Sequence, residues 1–177
     1  MSYTVSTVQL RITKNGGAIQ DNTYKHTGGT HAVDTWKKGQ FLRKTDCGCV
    51  QACAEAGEGS GVHAIALSDV TAADMTSATF VPIQLIDRET RFEMQIYAAS
   101  SGAAQVQDAV IGNQYDVKIA SYITSIDVSD ASQAFVEVTD LSSNYAWYSE
   151  TATTEYGFVE TRVVPAAIDI APTTKST

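Results

Sequence analysis

Three cysteines crowd one short stretch as Cys47-x-Cys49-x3-Cys53, and thiolates at close spacing can hold zinc if imidazoles complete the set. His63, or His26 with His31, would supply the missing ligands. The spacing is not that of a paired C-x2-C knuckle, and Gly48 sets Cys47 in a turn while Cys53 lies further along a strand. Free thiols packed as small hydrophobes are therefore expected. Gly57-Glu58-Gly59-Ser60-Gly61 has the glycine content of a phosphate-cradling loop, but no Lys-Ser/Thr follows it and the next segment has strand character. It is expected to be a hairpin loop. Two acidic pairs, Asp127 with Asp130 and Glu55 with Glu58, have the chemistry for general acid–base work or calcium binding. Without the glycine-spaced ligand run of a calcium loop they are expected as solvated loops. Tyr145-Ala146-Trp147-Tyr148 is the densest aromatic cluster, suited to stacking on a sugar ring or, more naturally, to anchoring an interface. No catalytic residue, metal ligand or cofactor is assigned from these patterns.

The elements that would position these residues are strands. Among 177 residues there are 16 Val, 12 Ile and 21 Thr but only 5 Leu, a composition that suits a pleated, half-buried surface and disfavours bundles and coiled coils. Residues 4–13 alternate Val8, Leu10 and Ile12 with Gln9 and Arg11, a period-2 strand that ends at the turn Lys14-Asn15-Gly16-Gly17. Residues 18–34 are polar and aperiodic, which predicts an extended arm. Further strands are expected at 36–42, 49–54, 62–67, 79–86, 91–97, 114–119, 122–128, 135–139, 158–164 and 167–170. The pairs 36–42 with 49–54, and 79–86 with 91–97, are expected as hairpins. A single helical turn is expected at 71–74. This predicts an all-β fold, a compact barrel or sandwich of about ten short strands. The domain layout is an extended N-terminal arm over 1–35, the β-barrel domain over 36–170 and a polar tail over 171–177. Its expected core is Phe41, Ile65, Leu67, Phe80, Ile83, Phe92, Ile96, Val117, Phe135 and Val138.

A weak internal echo runs through the chain. Gly39-Gln40-Phe41-Leu42 is similar to Gly112-Asn113-Gln114-Tyr115, and Ile65-Ala66-Leu67-Ser68-Asp69 to Val136-Glu137-Val138-Thr139-Asp140, at nearly equal separations. Two pseudo-equivalent halves closing one barrel would account for it.

Charge is divided unevenly. Residues 1–45 hold seven basic and two acidic side chains, net +5, and residues 46–177 hold five basic and eighteen acidic, net −13. Such asymmetry points to a basic segment that meets an acidic partner, with Tyr3, Tyr24 and Trp36 as anchors and Arg11, Lys14, Lys25, Lys37 and Lys38 as rim contacts. Nucleic acid is not expected as that partner, because the basic residues are dispersed and the rest of the chain repels phosphate. No apolar run reaches the ~18 residues of a membrane span, and the N-terminus lacks a secretory signal, so synthesis in the cytoplasm is expected.

From about residue 39 to 164 the order of features resembles that of the small all-β head decoration (cement) proteins of tailed bacteriophages. The resemblance rests on Gly39-Gln40-Phe41-Leu42, Val62-His63-Ala64-Ile65-Ala66-Leu67, Phe80-Val81-Pro82-Ile83, the strand from Phe92 to Tyr97, Ile111-Gly112-Asn113-Gln114-Tyr115-Asp116-Val117 and Phe135-Val136-Glu137-Val138. It implies a virion structural protein without enzymatic chemistry or cofactor, seated on the outer capsid surface. Its partners would be the major capsid protein and further copies of itself, with neither nucleic acid nor membrane involved. A tail or fibre component, or an adhesin using the 145–148 aromatics on a host glycan, is the alternative. A small β-barrel enzyme is a third reading, for which no convergent polar cleft is visible in the sequence.

Overall fold

The computed structural model describes residues 11–14, 16–17, 19–25, 35–45, 48–53, 61–71, 74, 80–97, 111–120, 123–128, 135–141 and 158–168. Among these residues it shows eleven strands: β1 Arg11–Lys14, β2 Gln20–Lys25, β3 Phe41–Lys44, β4 Val50–Ala52, β5 Ala64–Ala66, β6 Phe80–Leu85, β7 Arg91–Tyr97, β8 Gln114–Ala120, β9 Ile123–Asp127, β10 Val136–Leu141 and β11 Phe158–Val163. The protein is all-β, as its composition predicts. Of the strand expected at 167–170 only residues 167 and 168 are described: Ala167 ends a turn of 3-10 helix over Pro165–Ala167, and Ile168 makes an isolated parallel bridge to Val62. Proline cannot donate to a ladder, and Pro165 stops the strand there.

Two sheets divide the strands. One runs β2-β6-β5-β3-β4; the other runs β1-β7-β11-β10-β8-β9, with β7 also paired to β9. That extra pairing closes β7, β11, β10, β8 and β9 into a five-stranded barrel. β1 and β9 share the same side of β7: β1 faces Arg91 to Glu93, and β9 runs parallel to Gln95, Ile96 and Tyr97.

The two sheets repeat one plan. Replacing β2, β6, β5, β3 and β4 by β7, β11, β10, β8 and β9 turns the first order into the second, with every antiparallel neighbour preserved. Backbone hydrogen bonds match as well. Gly39 N–H donates to the Ala66 carbonyl (2.8 Å) and Ala66 N–H to the Gln40 carbonyl (2.9 Å), as Gly112 N–H does to Val138 (2.9 Å) and Val138 N–H to Asn113 (3.0 Å). His63 N–H to Leu42 (2.8 Å) corresponds to Phe135 N–H to Tyr115 (2.9 Å), and Ile86 N–H to His63 (3.1 Å) to Val164 N–H to Phe135 (3.0 Å). Gly39 and Gly112 both take positive φ, 90° and 83°, which explains glycine at both corners. The sequence echo is thus a structural repeat, with two corrections. Ala66 corresponds to Val138, so the second matched segment is shifted by one residue. The halves also build separate sheets rather than closing one barrel.

Side chains pack in two clusters. Barrel-lining Phe92, Met94, Ile96, Val117, Ile126, Val136, Val138, Val159 and Val163 join Phe41, Ile65 and Ile86 from the first sheet. The opposite face of that sheet buries Leu42, Val50, Ala64, Ala66, Val81 and Ile83 with Trp36 and Val70. Phe41 is the bridge between units, its ring edge-on to Phe92 (5.6 Å, 77°) and tilted against Phe135 (6.1 Å). Of the expected core, Phe80 is 55% exposed, and Leu67 and Phe135 are only half-buried. Strand alternation is the reason: Val81 and Ile83 take the inward face of β6, which turns Phe80 outward.

Two further expectations are corrected. β6 and β7 do not form a hairpin but belong to different sheets, joined by a turn in which the Asp87 carboxylate accepts from Glu89 N–H (3.0 Å) and Thr90 hydroxyl (2.7 Å). The stretch read as an N-terminal arm supplies β1 to the barrel and β2 to the other sheet, opposite Gln84 through Phe80. β2 escaped notice because Gln-Asp-Asn-Thr-Tyr-Lys has no apolar alternation.

Phe41→Ala should cost about 3–5 kcal/mol, since it empties the contact joining the two units; a lowered urea midpoint with unchanged slope is the expected observation. Removing residues 1–25 strips one strand from each sheet. The truncated chain is expected to lose its near-UV circular dichroism, and a native spectrum would show that β1 and β2 are dispensable.

Candidate functional site

Among the described side chains, Lys14 and Lys37 lie in different places, each beside a different carboxylate, Glu89 and Asp69. β1 sets Arg11 opposite Glu93 and Lys14 opposite Arg91, with a register shift between Ile12 and Lys14. Lys14 Nζ lies 3.6 Å from Glu89 Oε2, both side chains more than half exposed. Tyr24 and Lys25 belong to β2, opposite Val81 and Phe80. The side chains of Arg11, Tyr24 and Lys25, and all of Tyr3, Tyr145, Trp147 and Tyr148, lie outside the described residues. So do Cys47, His26, His31, Glu55, Glu58, Asp130 and residues 57–60 of the glycine loop.

Trp36 requires a correction. It is 1% exposed, bridges Val70 through the main chain in both directions and packs against the second cluster. It therefore anchors its own sheet and offers no surface to a partner. The adjacent lysines hold the same corner. Lys37 Nζ donates to Asp69 Oδ2 (2.8 Å), Lys38 N–H donates to Asp69 Oδ1 (2.8 Å), and Lys37 N–H donates to Oε1 of buried Gln40 (2.7 Å). The Lys38 side chain is left exposed.

Part of the charge division is consequently answered within the chain, since Lys14 lies near Glu89 and Lys37 is bonded to Asp69. The first of these contacts is loose and solvent-screened, while the second is short and supported by a main-chain donor. On the barrel's outer face, Arg162 Nη2 reaches both Glu137 oxygens at 3.0 Å, and Nε reaches Oε2 at 3.3 Å. This cross-strand fork occupies the position that Ile65 and Gln84 hold in the first unit. Thr13 and Thr139 hydroxyls donate to the Glu160 carboxylate (2.7 and 3.3 Å), tying β1 and β10 to β11.

Cys53 is buried within the barrel-end cluster and Cys49 is half-exposed in the β3–β4 connection; neither forms a disulfide. Among the described residues, no three His, Cys, Asp or Glu side chains are grouped to hold a metal ion, and no helix is long and apolar enough to cross a membrane. Arg91, Glu89 and Asp69 are the charged partners that sequence reasoning missed. Their pairing depends on contacts between distant strands, for which the local pattern carries no signal.

No family model matches the chain, and no curated protein or solved structure is similar to it.

Asp69 provides a titration handle. The hydrogen bond from Lys37, and after it the Lys38 N–H, hold its carboxyl below the ordinary value of 3.8, against a smaller opposing effect of desolvation. Its contribution to stability is present above the unfolded value and is lost as pH falls through the lower folded one. Lys37→Ala should raise the Asp69 midpoint followed by carboxyl NMR; an unmoved midpoint would assign the effect to the backbone donor alone.

Proposed function

We propose that this protein is a capsid decoration, or cement, protein of a tailed bacteriophage: a virion structural protein, without enzymatic chemistry, that binds the outer surface of the assembled head. There it bridges neighbouring major capsid subunits, and it contacts further copies of itself on the lattice. The reading is supported by the resemblance carried by the segments from Gly39 to Val138. The observation that carries it furthest is mechanical. Two five-stranded units are braced into one body by Phe41, and the N-terminal strands are stitched into both sheets.

A body of this kind suits a bridging role. Residues already held in ladders lose little conformational freedom when they dock, so contacts with two subunits are not offset by ordering a long segment. A bridge that engages several subunits binds the assembled lattice better than a free subunit, and by linkage it stabilises the assembly. We assign the contact to residues displayed on folded segments rather than to an extended arm, chiefly exposed Lys14 at the end of β1 and exposed Lys38 in the turn before β3.

Purified protein mixed with undecorated heads should sediment with them, should not bind isolated capsid subunits, and should raise the temperature at which heads release DNA. Labelled particles that show it at the tail would replace this reading with the fibre alternative, and absence of binding to either would remove both.

A further inference from the structure

Lys14 on β1 and Arg91 on β7 stand opposite each other in the ladder, so two cations are held side by side at one end of the barrel wall. Like charges directly opposite one another destabilise a sheet unless an anion lies between them. A single carboxylate serves both here: Glu89 Oε2 is 3.6 Å from Lys14 Nζ and 3.9 Å from Arg91 Nη2. Both separations are too long for hydrogen bonds, and Glu89 is 58% exposed. The Arg91 side chain is 16% exposed, and its Nη1 is buried with no hydrogen-bond partner. A guanidinium offers a rigid fork of donors; here Nη1 is turned away from solvent and Nη2 meets only the loose Glu89 contact, so the charge is under-satisfied.

The ground beneath the pair is stiff. Gly16, at φ 60°, sits so close to the 87–90 turn that a Cβ would overlap the Asp87 carboxylate and come within 2.7 Å of the Glu89 carbonyl carbon and the Thr90 nitrogen. Thr90 is fully buried, and its hydroxyl donates to Asp87 Oδ1. The β1–β2 turn and the β6–β7 turn are thereby locked together with the cations along their seam.

We propose that the Lys14–Arg91 seam is a carboxylate docking point for an Asp or Glu side chain on the surface of a protein partner. Glu89 is the internal stand-in that the incoming carboxylate displaces. A single acidic prong entering between two cations gains both, whereas a polyphosphate strand would also meet Asp87, Glu89 and a chain of net charge −8. Identifying that partner as a capsid subunit rests on the function proposed above; the chemistry of the seam does not.

The test is fluorescence anisotropy of fluorescein-labelled hexaglutamate titrated with the full-length protein at low salt, with thermal melting to confirm that each variant is folded. Lys14→Ala should weaken binding about threefold or more, and Glu89→Gln should tighten it by a similar factor because the competing carboxylate is gone. Lys44→Ala, on a lysine of β3 outside the seam, should leave binding unchanged. Equal losses for Lys14→Ala and Lys44→Ala would show diffuse attraction and overturn the proposal, as would a Glu89→Gln variant that binds no tighter. Tighter binding of labelled oligo-dT than of hexaglutamate would reassign the site to phosphate. Sedimentation with heads is scored separately: the expected peptide pattern without head binding by the unaltered protein would leave the seam intact and remove only the capsid as its partner.

Discussion

Five strands cannot close into a ring with every neighbour antiparallel, because alternating directions around an odd number must bring two like directions together. One pair has to run parallel, and in this protein it is β7 with β9. A parallel pair needs a crossover, which here is the path from the end of β7 through β8. Closure then fixes the remaining geometry. Ile96 and Ile126 meet across the parallel seam, Val117 faces Ile126 on the next ladder, and alternate residues of five strands converge on one interior. Because β9 takes only the second half of β7, the first half keeps a free edge, and β1 fills it.

The first unit follows the same order, yet among the described residues β2 and β4 are not paired. Side-chain volume offers a reason for the difference in shape. Ala64 and Ala66 stand where the barrel carries Val136 and Val138, so the first interior has less to wrap around, and Trp36 and Val70 from flanking segments fill it. The outer faces have diverged in the opposite sense. Phe41 and Ile65, which meet the barrel core, correspond to Gln114 and Glu137, which face outward. One copy of the unit has thus acquired an apolar outer face and the other a polar one. The stacking of first on second ends at a polar face that carries the Glu137–Arg162 fork.

Strong alternation was legible in the sequence wherever one face of a strand met the core. Phe92, Met94 and Ile96 declare β7, and Val136 and Val138 declare β10, since burial on one side imposes period two. β2 could not be read that way, because its sequence Gln-Asp-Asn-Thr-Tyr-Lys carries no apolar series, with Gln20 exposed and half-buried Asp21 on the other face. Trp36 misled for a related reason: an aromatic beside two lysines has the composition of an interface, and only the bridge to Val70 reveals it as core. The repeat was visible through its glycines, whose positive φ constrains residue type, but β-branched neighbours are too alike to fix the register. The hydrogen bonds of Ala66 and Val138 fix it.

The division of charge along the chain shows the same limit. A basic beginning and an acidic remainder suggest a segment that seeks an external partner, yet Lys14 at the end of β1 comes near Glu89 in the turn before β7, and Lys37 beside Trp36 is bonded to Asp69. Opposite charges distant in sequence are thereby paired within one molecule, which lowers the attraction left for any partner. What remains is set by geometry rather than by net charge. Asp69 is saturated by a short side-chain bond and a main-chain donor, whereas Glu89 divides one carboxylate between two cations at distances too long to satisfy either. Of the two internal pairings, the second is the one an outside carboxylate can compete for.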